Sequence, residues 1–193
     1  MKTRQLTLDA LLAAMCTVLG YFHLDFQVIE VGLESLPVIL GAALFGPMDG
    51  LCIGFIGTLL SQLLRYGITV TTLLWILPYA AAGLLVGFWA RWNGFHLTKE
   101  RAIVGAVVGE LVITLLNTLA LWVDSTVFGY NAALWVMIIP RLAVAVLKAV
   151  LIGLLLPELL FKLRKYAGVP GEIEDCPRHR WQLRRLEKEG ARG

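Results

Sequence analysis

Apolar residues run almost unbroken from Leu6 to Phe161, broken by short polar stretches around Asp25, Asp49, Arg65, Arg91–Arg101 and Asp124–Asn131. A membrane-crossing helix needs about 20 mainly apolar residues, so this length has room for about six. The breaks predict spans at Leu6–Phe22, Val28–Phe45, Leu51–Leu64, Thr71–Ala90, Ala102–Val123 and Ala132–Phe161. The expected fold is all-α, a polytopic bundle of six transmembrane helices. The second and third segments are short enough that a re-entrant hairpin is the alternative. Phe45-Gly-Pro-Met-Asp-Gly50 reads as a tight turn with Asp49 in water, and Pro78 as a kink in the fourth span.

Composition removes the soluble alternative. Hydrophobic residues make up 58% of the chain against 16% charged, and mean hydropathy is +0.75, which leaves too little polar surface to cover a water-exposed domain. The net charge of +3 matters only through its distribution. Lys2 and Arg4, then Arg91, Lys99 and Arg101, then Lys162, Arg164 and Lys165 fall on one side of the predicted membrane, against Arg65 on the other. By the positive-inside rule both termini are cytoplasmic and the protein is a multi-pass cell-membrane protein. Trp89 and Trp92 then mark the inner interface, Trp122 and Trp135 the outer. The start of the chain lacks a small-x-small cleavage site, so the first segment is expected to stay as a helix. Two regions follow: a membrane domain over 1–161 and a charged cytoplasmic tail over 162–193, solvated or lying on lipid headgroups.

The chemistry must come from the few polar residues inside the bilayer. No H-E-x-x-H, G-x-S-x-G or phosphate-binding loop is present, so no enzymatic activity, cofactor, metal or nucleic-acid partner is expected. Cys16, Cys52 and Cys176 lack metal spacing, and Cys176 with His179 is a coincidental C-x-x-H. Glu110 and Asn117 stand seven apart on one face of the fifth span, with Thr114 between them; Arg141 and Lys148 are seven apart on the sixth. Because these segments run antiparallel, Glu110 and Lys148 share a depth and are expected to neutralise one another as a structural ion pair. Arg141 and Asn117 share a shallower depth in the outer half. Arg141 is the candidate for holding an anionic ligand, because its planar fork suits a carboxylate. Trp75 and Tyr79, one turn apart beside Pro78, offer aromatic faces to a flat heterocycle or pack the core. The Tyr21–Phe26 loop, with His23, is a candidate lid, while Asp25, Glu30 and Glu34 read as solvated or helix-N-terminal acids. Ala10 and Ala14 form a small-x-x-x-small stripe on the first helix, suited to close helix approach. The glycine pairs Gly50/Gly54, Gly83/Gly87 and Gly105/Gly109 are expected to pack the bundle internally.

Three stretches carry a family resemblance: Leu8-Asp-Ala-Leu-Leu-Ala-Ala14, Leu36-Pro-Val-Ile-Leu-Gly-Ala-Ala-Leu-Phe-Gly-Pro-Met-Asp-Gly50, and Leu116-Asn-Thr-Leu-Ala-Leu-Trp122 with Ile139-Pro-Arg-Leu142 and Lys148. They resemble the substrate-binding (S) components of energy-coupling factor (ECF) vitamin transporters, the folate-type members best. The resemblance implies high-affinity capture of a small water-soluble vitamin, folate or a related anionic heterocycle. It also implies docking on a transmembrane coupling protein carried by two cytoplasmic ATPases. Ala10 and Ala14 then take the docking role, and Asn117 and Arg141 become site residues. Glu34 departs from the folate-type pattern, and the tail after Gly168 is longer than usual. A stand-alone secondary carrier or channel is the competing class, as is an S-component for a different vitamin. The absence of a visible inverted repeat argues against the carrier.

Overall fold

A computed structural model describes residues 3–22, 24–26, 29–69, 71–95, 97–128 and 134–167. They form six α-helices and one small hairpin. The helices are α1 (Thr3–Tyr21), α2 (Ser35–Phe45), α3 (Pro47–Tyr66), α4 (Thr72–Trp92), α5 (Lys99–Phe128) and α6 (Leu134–Ala167). Between α1 and α2, strands β1 (Leu24–Phe26) and β2 (Ile29–Val31) pair antiparallel, with Asp25 opposite Glu30. β2 lies against α6.

Four helices, α3 to α6, are long and apolar enough to cross a bilayer. The apolar part of α1, Gln5–Tyr21, and the whole of α2 are shorter. The second predicted span is therefore corrected. Its first part is strand, and its helix has 11 residues, about 16 Å at 1.5 Å per residue against a hydrocarbon core of about 30 Å. The residues from Ser35 to Leu44 are all buried, and α2 packs against each of the other five helices. A helix apolar on every side belongs in an interior, and α2 is the central post of the bundle. Val38, Ile39 and Leu40 meet Ile53, Val86, Ala106, Ile152 and Leu156 in one continuous core.

The turn from Phe45 to Gly50 is also corrected. Gly46, at φ 114°, is the single connecting residue. Pro47 then opens α3, the first-turn position where its missing N–H costs nothing. Asp49 consequently lies inside the first turn of α3 and is buried, because α1 closes over it.

α1 and α3 run parallel. Thr17 Oγ1 donates to Gly57 O at 3.2 Å, and Gly20 faces Ser61. α3 and α4 run antiparallel with their backbones in contact: a Cβ at Gly50 would lie 2.6 Å from Gly83 O, and one at Gly54 2.7 Å from Tyr79 O. Close approach of this kind drives helix association in lipid, where apolar burial gives no net gain. α4 and α5 are antiparallel, with Gly105 facing Trp89 and Gly109 facing Val86 and Ile39. The outward side chains are apolar, among them Leu73, Leu77, Phe88, Leu115, Leu119, Val146 and Leu154. That is the surface a bilayer accepts.

Candidate functional site

Polar groups inside the bundle fall at three heights. At the end carrying the β1–β2 hairpin, Glu34 occupies the N-cap position of α2 yet makes no capping hydrogen bond. Its carboxylate reaches to α4 instead, where the buried Tyr79 hydroxyl donates to Glu34 Oε1. Cys16 Sγ, fully buried on α1, donates to the Glu34 carbonyl at 3.3 Å. Gly20 makes room for the group: a Cβ there would lie 2.5 Å from Ser61 Oγ and 2.8 Å from Glu34 Oε2. One carboxylate is thus held where α1, α3 and α4 converge.

Tyr79 packs against Ala82 and Ile113, which ties this corner to α5. Asn117 is one turn beyond Ile113 on α5. The α4–α5 contacts put Asn117 at a height between Tyr79 and Trp75. From α6, Arg141 Nη1 donates to the Asn117 carbonyl at 3.5 Å, a long hydrogen bond to the main chain rather than to the side-chain amide. Asn117 Oδ1 is buried with no partner among the described residues. Arg141 and Trp75 are half-buried. The fold therefore brings Arg141 to Asn117 and Tyr79 to Glu34, with Trp75 one turn from Tyr79. His23 lies outside the described residues. The candidate lid, Tyr21–Phe26, is not a plain loop, since Leu24–Phe26 is the first strand of the hairpin.

At middle depth Lys148 Nζ lies 3.6 Å from Glu110 Oε2, the two side chains being 10% and 2% exposed. Glu110 Oε1 has no hydrogen-bond partner among the described residues. Thr114 and Thr118 return their hydroxyls to the carbonyls four residues back, at 2.8 and 2.7 Å, which satisfies them within α5. Beside this pair an apolar groove of about 360 Å³ opens between α5 and α6, lined by residues such as Val107, Leu111, Ala145 and Val146.

At the far end Gln5 Nε2 donates to Asp49 Oδ2 at 3.0 Å. Asp9 and Asp49 are 9% and 6% exposed, and the Oδ1 atom of each lacks a hydrogen-bond partner among the described residues. No described group of three or more His, Cys, Asp or Glu side chains is arranged to hold a metal.

Polar side chains from several helices thus gather at one end of an apolar bundle. The family model "ECF transporter, substrate-specific component" matches residues 4–160. The chain belongs to this family. It is a multi-pass membrane protein, and its family comprises transporter components rather than enzymes. A UPF0397 protein of Lactobacillus johnsonii is 35% identical over 82 residues, covering 37% of this chain and 43% of the relative. The chain thus spans less than half the length of the curated relative it matches.

Two features of this ECF family member eluded a reading of the chain alone. Glu34, in Val31-Gly-Leu-Glu-Ser35, reads as a solvated or helix-N-terminal acid; it does stand at the N-cap of α2, and what its neighbours do not reveal is the bond from Tyr79. The Gln5–Asp49 contact joins residues 44 apart in sequence. On α1, Ala10 and Ala14 are both exposed, on a face shared with Leu6, Leu11 and Val18.

Proposed function

We propose that this chain captures a small water-soluble vitamin, folate or a related anionic heterocycle, as the S-component of an ECF importer. The observation that carries the reading is the meeting of Arg141 and Asn117 across α5 and α6, in a chain of the substrate-specific family. Arg141 takes the ligand's anionic group through its guanidinium fork. The Asn117 amide, whose Oδ1 is buried without a partner among the described residues, hydrogen-bonds nearby. Trp75 and Tyr79 flank the heterocycle. The side with the basic segments is cytoplasmic, as are both termini, so the site faces outward. The exposed Ala10–Ala14 stripe docks on a transmembrane coupling protein, which two cytoplasmic ATPases drive. The chain itself performs no chemistry.

The test is reconstitution with purified coupling protein and ATPases in liposomes, followed by ATP-dependent accumulation of radiolabelled folate. Binding by the isolated chain, with accumulation only when the module and ATP are present, supports the reading. Accumulation by the chain alone would identify a secondary carrier and overturn it.

A further inference from the structure

We infer that Glu34 is the specificity-determining acceptor of this site, taking the paired N–H donors of a heterocycle edge of the aminopyrimidine type. The inference rests on the vitamin-capture reading and adds a second recognition point to it. Three observations point there. First, Glu34 stands at the N-cap of α2 but makes no side-chain capping bond there. Its carboxylate serves something other than its own helix. Second, the carboxylate is held in place from outside that helix. Tyr79 donates to Oε1, Cys16 fixes the main chain, and Gly20 leaves the space that Oε2 and Ser61 Oγ occupy. Third, the acceptor capacity is only partly used. An ionised carboxylate accepts about four hydrogen bonds, and Tyr79 supplies one.

A half-buried carboxylate among apolar helices repels anions and gains most from a donor fork matching its two oxygens. A ring amine beside a ring N–H is such a fork. Arg141 brings the opposite sign to the same end of the bundle, so a ligand satisfying both is dipolar, with an N–H donor edge toward Glu34 and an anionic group toward Arg141. A plain dicarboxylate meets only half of this site.

The experiment measures equilibrium binding of two probes to the purified full chain by titration calorimetry. The probes are folate and its 2-desamino-2-methyl analogue, which keeps the rings and carboxylates but exchanges the amine for a methyl group. The parent protein is expected to prefer folate at least tenfold. Glu34→Gln keeps the side-chain volume but removes the charge and turns an N–H₂ toward the ligand's donors, so the preference should fall to about one. Tyr79→Phe, which leaves Glu34 unanchored, should reduce the preference several-fold. Equal affinity of the parent for both probes overturns the inference. So does an unchanged preference in Glu34→Gln, or loss of both probes together, which marks a structural role. A folded parent protein that binds neither probe overturns the vitamin reading itself.

Discussion

Neutralising both members of the Glu110–Lys148 pair should cost less than the two single neutralisations added together. The two charges stand 3.6 Å apart, with side chains 2% and 10% exposed, on helices whose outer surfaces face lipid. At that distance unit charges attract by about 4–5 kcal/mol at an effective dielectric constant near 20. That attraction offsets the cost of taking each charge out of water, so the net value of the pair is small. Removing one partner exposes the full cost of the other. A lone charge at mid-membrane costs about 2.5–3.5 kcal/mol on insertion scales, and Lys148 has little room to reach water, being 8% exposed. Glu110→Gln and Lys148→Met should each lower stability by about 2–3 kcal/mol. For a chain of this size that is a fall in melting temperature of about 4–12 °C. The double variant should recover at least about 1 kcal/mol relative to the sum of the singles. The assay is reversible unfolding of the detergent-solubilised protein, with the coupling energy taken from the four-protein cycle. Additivity within about 0.5 kcal/mol would show that the charges do not interact and refute the reasoning.

Other outcomes follow from the same structure. Ala10→Trp and Ala14→Trp should abolish coupled uptake while the isolated protein keeps its folate affinity, because both positions are exposed on α1; loss of affinity along with uptake would make the stripe part of internal packing. Arg141→Lys keeps the charge but not the fork, so folate binding should weaken on the order of tenfold, and equal affinity in calorimetry would remove Arg141 from the site. Gly50→Leu should prevent α3 from meeting α4, since a Cβ at that position would lie 2.6 Å from Gly83 O. A loss of about 1–3 kcal/mol or more is expected for such overpacking, visible as a lowered melting temperature, and an unchanged melting temperature would contradict the contact.

What the chain alone determines is what depends on local composition. Long apolar runs specify helices at membrane depth whatever they pack against, because unpaired backbone groups are intolerable in lipid. The third and fifth predicted segments therefore lie inside α3 and α5, and the fourth and sixth coincide with α4 and α6 from Thr72 and Leu134 onward. Depth was legible as well, since two antiparallel neighbours place residues equally far from their connection side by side. That is why Asn117 and Arg141, like Glu110 and Lys148, could be set level from sequence.

The tertiary structure decided what apolarity cannot distinguish. A lipid-facing helix and one buried in protein have the same hydropathy, so nothing local separated α2, the buried post, from a span. Contacts between distant segments were equally hidden. Asp49 leaves water because Gln5 of the parallel α1 meets it. Glu34 is held inside the bundle because Tyr79, 45 residues away, reaches it. An acid is read as solvated until its partner is known, and that partner is supplied by helix packing, not by the neighbouring residues.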